Sequence, residues 1–290
     1  MRKETSSATD KDNLPAVQSG APDARPHRAL RLAGRALCVL LLILAVLVLI
    51  ASTSQFAISD ISVSGNNYYS KNQIVSKSGL AVGQNGFMAL RGDNIFKVLA
   101  FRCPAAEQAV AEACPYVKAV QIRYVLPRDI QIEIEERTKS VVVPYFGSGL
   151  LIDGEGVVVD IISNYRQSEL PVAQGLSVTR YEVGKTLATG DSSGIETVLM
   201  VVNALRQVDR DSDESLTWKI AVIDVNDPKN IQLGISGGIN VSLGDGTELY
   251  YRVSAVKEIL DYGLEDGETG EIIFSNGARP VFVPDTNTPI

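Results

Sequence analysis

Histidine occurs once in these 290 residues, as His27, and cysteine three times, as Cys38, Cys103 and Cys114. The scarcity of histidine removes the imidazole base on which most serine and cysteine nucleophiles depend. The nucleophile-elbow pattern does occur, around Ser192 in Gly190-Asp191-Ser192-Ser193-Gly194 and around Ser236 in Gly234-Ile235-Ser236-Gly237-Gly238. His27, however, precedes the long apolar run described below, which places it across a membrane from both serines. Ser254 and Lys257 have the spacing of a serine–lysine pair, but no Lys-Thr-Gly or Ser-Asp-Asn accompanies them. One histidine and two separated exterior cysteines do not make a zinc set, and Asp224-Val225-Asn226-Asp227 lacks the remaining ligands of a calcium loop. Glu133 and Glu135 alternate on a strand, where they form a solvated face rather than a catalytic pair. The chain therefore reads as a protein without catalytic residues, cofactor, metal or small-molecule substrate.

Basic charge is also in deficit: 27 Lys and Arg stand against 34 Asp and Glu, a net charge of −7. The first 35 residues hold seven basic and four acidic side chains, so the remainder carries twenty against thirty and lies near −10. That sign disfavours nucleic acid as a partner. Cysteine is too sparse for a disulfide framework. Between Cys103 and Cys114, the segment Pro104–Ala113 reads as a helix with proline in its first turn. Eleven helical residues separate the two Cα atoms by about 16 Å, well beyond the ~7 Å a disulfide tolerates. Two free, buried thiols are expected.

From Ala36 to Ala51 the chain has no charge at all. These sixteen residues span about 24 Å as a helix, and flanking residues extend the run to 32–56, enough to cross a bilayer. A cleaved signal peptide fits poorly, because some thirty-five residues precede the run and Ser52-Thr53-Ser54 is a weak cleavage site. A soluble core helix fits poorly too, because the run is apolar on every side. Arg25, Arg28, Arg31 and Arg35 crowd its amino-terminal flank while 52–58 has no basic residue, so residues 1–31 read as a disordered cytoplasmic tail and the long remainder as exterior.

Past the run, Ile61 and Val63 alternate with polar residues in a strand that closes at Gly65-Asn66. Ser70 with Gln73 forms a capping box for a helix over 71–78, stopped by Gly79. A loop and the 104–113 helix follow. Two strands then place Val120, Ile122 and Tyr124, and Ile130, Ile132 and Ile134, each on one face, joined by a tight turn at Leu126-Pro127-Arg128-Asp129. Strand, helix, helix, strand, strand makes a small sheet covered by helices on one side. A second unit begins with apolar strands around Val141-Val142-Val143 and an Asp153-Gly154 hairpin turn. It continues with a helix over about 194–208 capped by Ser192 or Ser193, and three strands turned at Asp227-Pro228 and Gly237-Gly238. It ends with a helix capped by Thr247 and stopped at Gly263, a strand over 271–275 and a short 280–284 segment.

In that order, directly after an apolar run, the pieces Val63-Ser64-Gly65-Asn66, Tyr69-Ser70, Ser78-Gly79-Leu80, Cys114-Pro115-Tyr116-Val117, Leu126-Pro127 and Ile132-Glu133-Ile134-Glu135 resemble the POTRA domain of the FtsQ/DivIB bacterial cell-division family. Leu150-Leu151-Ile152-Asp153-Gly154, Leu170-Pro171 and the terminal strand resemble the β domain that follows it in that family. The resemblance implies an α+β fold: a bitopic, single-pass membrane protein with an extracytoplasmic POTRA domain (β-α-α-β-β) at 57–138, a mixed β-rich domain at 139–284 and a short tail at 285–290. It implies a divisome scaffold in the bacterial inner membrane at the division septum, type II in orientation. Such a protein binds FtsB/DivIC-like and FtsL-like division proteins and links the septal peptidoglycan-synthesis complex. A membrane-anchored extracytoplasmic cell-wall hydrolase is the alternative. By the same resemblance, the aromatic-x-x-glycine motif Phe274, Ser275, Asn276 and Gly277 is expected to receive a partner strand at a sheet edge. The loop with Gly65, Asn66 and Tyr68, expected beside the membrane, is a second candidate surface.

Overall fold

The computed structural model describes the backbone of residues 26–210, 214–265, 267–274 and 279–285, with side chains from residue 31 onward. The chain divides into two compact units, Met1–Ser52 and Thr53–Ile290. In the first, helix α1 (Pro26–Ala51) contains the 21-residue stretch Arg31–Ala51, of mean hydropathy 2.8 and with none of its residues buried. At 1.5 Å per residue that stretch is about 32 Å long, enough to cross a hydrocarbon core. The helix starts earlier than residue 32 and stops at Ala51. Ser54–Phe56 is a separate 3-10 turn belonging to the second unit, not a continuation of the span.

The second unit opens with β1 (Asp60–Ser64), α2 (Lys71–Ser78), two short helical turns α3 (Gly86–Ala89) and α4 (Ile95–Leu99), α5 (Pro104–Ala113), β2 (Val117–Val125) and β3 (Asp129–Glu136). The strand order is β1-β3-β2, with β1 parallel and β2 antiparallel to β3. The capping box at Ser70 and Gln73 is present, and Gly79 takes the left-handed conformation that ends α2. Alternation does the rest: Ile122, Ile130 and Ile132 turn to the face covered by Ile74 of α2 and Val110 of α5. Cys103 and Cys114 are free and buried in this core, and burial, reinforced by the nearby Glu107 charge, pushes the Cys103 thiol up to about 11.

One carboxylate holds the helical side together. Glu107 of α5 is buried, its side chain only 4% exposed, yet it is fully engaged. Its oxygens accept from Lys97 Nζ at 2.8 Å, Arg102 Nε at 2.7 Å and the Ile122 amide at 3.1 Å. Burial alone would raise this carboxyl; hydrogen bonds from Arg102, Lys97 and Ile122 outweigh it and hold the group below its ordinary value.

The remaining elements are β4 (Lys139–Tyr145), β5 (Ser148–Asp153), β6 (Val158–Ile162), β7 (Val172–Gln174), β8 (Val178–Arg180), β9 (Ala188–Thr189), α6 (Ser192–Arg210), β10 (Ile220–Asp224), β11 (Ile231–Ile235), β12 (Ile239–Gly244), α7 (Leu249–Glu258), β13 (Gly270–Ile273) and β14 (Val281–Pro284). Nine of these strands form one sheet in the order β14-β13-β12-β11-β10-β7-β4-β5-β6, and β8 pairs with β9. Strand β4 turns at Phe146-Gly147 into β5, which the sequence reading passes over, and only then does the chain turn at Asp153 into β6. Helices α6 and α7 cover one face, where Val141, Val143, Leu150 and Ile152 join Val198, Leu205, Val253 and Val256. Two expected caps differ. The Asp191 carboxylate accepts from the Ser193 amide at the start of α6, so aspartate rather than serine does the capping. At α7 the N-cap position is Glu248, in the left-handed conformation, and Thr247 instead bonds Asp245 and Arg252.

Replacing Glu107 by alanine leaves the buried Ile122 amide without its acceptor and the partly exposed Lys97 and Arg102 without their anion, and is expected to cost about 2 kcal/mol in urea unfolding of the full chain. Because the folded carboxyl titrates below its ordinary value of 4.5, its contribution is present above that pH and is lost as the pH falls through the lower folded value. In the same protein, Cys103 and Cys114 should resist a thiol reagent until denaturant is added, after which both react without prior reduction.

Candidate partner-binding surfaces

The carboxy-terminal strands set the geometry of the first candidate surface. Strand β13 runs parallel to β12 on one side and antiparallel to β14 on the other, so it lies inside the sheet rather than at its edge. This corrects the expectation that 271–275 offers a free edge. Strand β14 takes that place. Its approach is close: a Cβ on Gly270 would lie 2.3 Å from the Val283 carbonyl oxygen. The Asp285 amide bonds the Thr269 carbonyl, while the amides of Gly270 and Phe274 bond the carbonyls of Gly238, just before β12, and Ser242 within it. Alternation along the ladder then turns Val281 and Val283 amides toward β13 and leaves the Phe282 N–H and C=O pointing outward. Pro280 and Pro284 flank that one outward amide. Side chains of Val281 and Val283 are exposed, 57% and 47%, whereas Phe282 packs against the main core.

Phe274 sits just after β13, partly buried against the same core. The Arg252 guanidinium lies 5.9 Å from the centre of its ring. Arg252 is itself nearly buried and is held by the Leu243 carbonyl and, at 2.9 Å, by Thr247 Oγ1. Ser275, Asn276 and Gly277 lie outside the described residues.

The second surface is the loop after β1. Gly65 has φ +78°, and a Cβ there would meet the Ile134 carbonyl oxygen at 1.9 Å, so no other residue fits the turn. The Asn66 amide group donates to the Tyr69 carbonyl at 2.8 Å. The Glu136 carboxylate accepts from the amides of Asn67, Tyr68 and Tyr69 at 2.9, 2.7 and 3.2 Å. Tyr68 stacks on Tyr116, ring centres 3.8 Å apart, and Tyr116 donates to Asp160 Oδ2 at 3.3 Å. Burial first, and then the Asp160 charge, raises the Tyr116 phenol. This loop is at the end of β1 away from Thr53, where the chain comes from α1, and it packs against the β-rich domain.

Tyr116 and Tyr69 reach across to Val142, Leu151 and Val159, the residues of β4, β5 and β6 that point away from the helix-covered face. Arg137 adds a charged tie: its Nη1 contacts Asp153 Oδ2 at 2.6 Å and Glu155 Oε2 at 3.0 Å. The residues weighed as a serine–lysine pair are engaged elsewhere. Ser254 Oγ donates to the Tyr250 carbonyl, and Lys257 Nζ to the Glu214 carbonyl and the Asp261 carboxylate. Sequence reading placed a short segment at 280–284 but did not make it the sheet edge, and it missed Arg252. The pattern Pro280-Val281-Phe282-Val283-Pro284, apolar and bracketed by prolines, is a signal for an edge strand.

Residues 56–137 match the family described as POTRA domain, FtsQ-type. Two curated relatives are similar over a longer stretch. The cell division protein DivIB of Clostridium acetobutylicum is 26% identical over 202 residues, 64% of this chain and 73% of that protein. The cell division protein DivIB of Clostridium tetani is 25% identical over 146 residues, 50% of this chain and 52% of that protein.

Alanine at position 136 leaves three backbone amides of the 67–69 loop without their acceptor. A loss of about 2 kcal/mol is expected, together with at least tenfold faster amide exchange at 67–69 and little change at β13, measured by hydrogen–deuterium exchange.

Proposed function

We propose that this FtsQ/DivIB-like protein, with its FtsQ-type POTRA domain and its likeness to the clostridial DivIB proteins, is a divisome scaffold that works by binding partners and not by catalysis. Its similarity to those proteins supports a role in cell division. The basic flank before α1 keeps the amino terminus in the cytoplasm, so the second unit faces the exterior at the septum. There it holds FtsB/DivIC-like and FtsL-like partners close to the septal peptidoglycan-synthesis complex. Confinement to the membrane surface raises the local concentration of every partner, so weak interfaces suffice.

The observation that carries this reading is the β14 edge. A partner strand laid along it gains the Phe282 N–H and C=O as main-chain partners, and can cover the exposed Val281 and Val283 side chains. Phe274, Ser275, Asn276 and Gly277 are included in the proposed site, with Gly65, Asn66 and Tyr68 as a second contact region. The alternative, a cell-wall hydrolase, has less support, because Ser254 and Lys257 are each bonded to other groups.

A photo-crosslinking residue at Val283 is expected to give adducts with a small coiled-coil division partner in living cells, and Val283→Asp to reduce them at least tenfold without altering the melting temperature. A folded protein that gives no adduct from 274, 281 or 283 overturns the proposed site. Depletion of the protein should give filaments with blocked septa; normal division, or peptidoglycan turnover abolished by Ser254→Ala, overturns the scaffold reading.

A further inference from the structure

The POTRA domain has two dissimilar ends. At one, the tyrosines at 68, 69 and 116 meet the β-rich domain. The other end is where β1 and β3 start and β2 finishes, and it receives the chain from α1. There the incoming segment is clamped. The Phe56 ring packs on Phe87 at 5.0 Å, the Ile58 amide bonds the Gln84 carbonyl, and Tyr124 Oη bonds the Phe56 carbonyl. Only Ser52 and Thr53 separate α1 from the Ser54–Phe56 turn, a covalent reach of about 11 Å at most.

This same end carries nearly all the exposed apolar side chains of the domain. Of the eight large apolar residues exposed between 53 and 138, Tyr68 alone lies at the far end. Helix α4 reads Ile-Phe-Lys-Val-Leu and has no buried residue; Phe96 is 80% and Leu99 71% exposed. Met88 follows Phe87 on α3, and Leu126 caps the β2–β3 turn, both uncovered. Phe101 holds a left-handed conformation, φ 56°, that bulky side chains avoid. Its carbonyl bonds the Tyr124 amide, which fixes the end of α4 beside the clamp. A soluble surface rarely leaves an apolar patch of this kind open to water.

We propose that this end of the POTRA domain is a bilayer-seating surface, with Phe96, Leu99, Met88 and Leu126 inserted at the boundary between headgroups and acyl chains. The short covalent reach selects lipid as the occupant: a patch tied this closely to the end of a spanning helix meets the membrane before it meets any freely diffusing protein.

The test uses the full chain in nanodiscs of phosphatidylcholine and phosphatidylglycerol, with Trp218→Phe as background. Phe96→Trp, Leu126→Trp and, at the far end, Tyr68→Trp each supply one fluorophore. With lipids brominated near the top of the acyl chain, emission from positions 96 and 126 is expected to fall by at least half, and emission from position 68 to change by less than a tenth. Equal, weak quenching at all three positions overturns the proposal. Quenching at position 96 that appears only after a membrane partner protein is added also overturns it, and assigns the surface to that protein.

Discussion

Two-sided burial of β4, β5 and β6 is the constraint on which the exterior unit depends. Helices α6 and α7 cover one face of the nine-stranded sheet, and Val141, Val143, Leu150 and Ile152 turn toward them. The opposite face of these three strands exposes Val142, Leu151 and Val159, which water would surround if nothing lay over them. Tyr116 and Tyr69 of the POTRA domain cover them, with Tyr165 and Leu170 alongside. The apolar triplet at 141–143 thus needs both domains. Arg137 reinforces this junction with charge, since Asp153, itself buried, also accepts the amides of Glu155 and Val157 and fixes the turn into β6.

Local chemistry was the most legible part of the sequence. The Ser70–Gln73 capping box, the Gly79 stop, the 104–113 helix and the alternating isoleucines of β3 follow from contacts within a few residues, and each takes the expected form. The free state of Cys103 and Cys114 followed equally from the length of one helix. What sequence reasoning lost depends on partners far along the chain. Strand β5 is buried on both faces and so shows no period beside the stronger Asp153-Gly154 turn signal. Thr247 has the chemistry of a cap, but Arg252 and Asp245 engage it.

The candidate surfaces show the same division. Gly65 is needed by the backbone of Ile134, and Glu136 by three amides of the loop, so a turn that reads as a possible recognition loop is also a fastening between domains. Phe274 belongs to both descriptions as well: its ring lies against the core and beneath Arg252, at the point where the chain leaves β13. Which strand forms the edge could not be read from 271–275, because that depends on the later segment folding back across it.

Strand direction in the POTRA domain has a mechanical consequence. The chain arrives from α1 at the start of β1 and departs to the β-rich domain from the end of β3, and these two strands run parallel over five residue pairs. A pull between the start of β1 and the end of β3 therefore acts along both strands in opposite senses. All the bonds of that ladder are loaded together, in shear, and none can be peeled open ahead of its neighbours. A tether built this way yields only when the whole ladder slips at once.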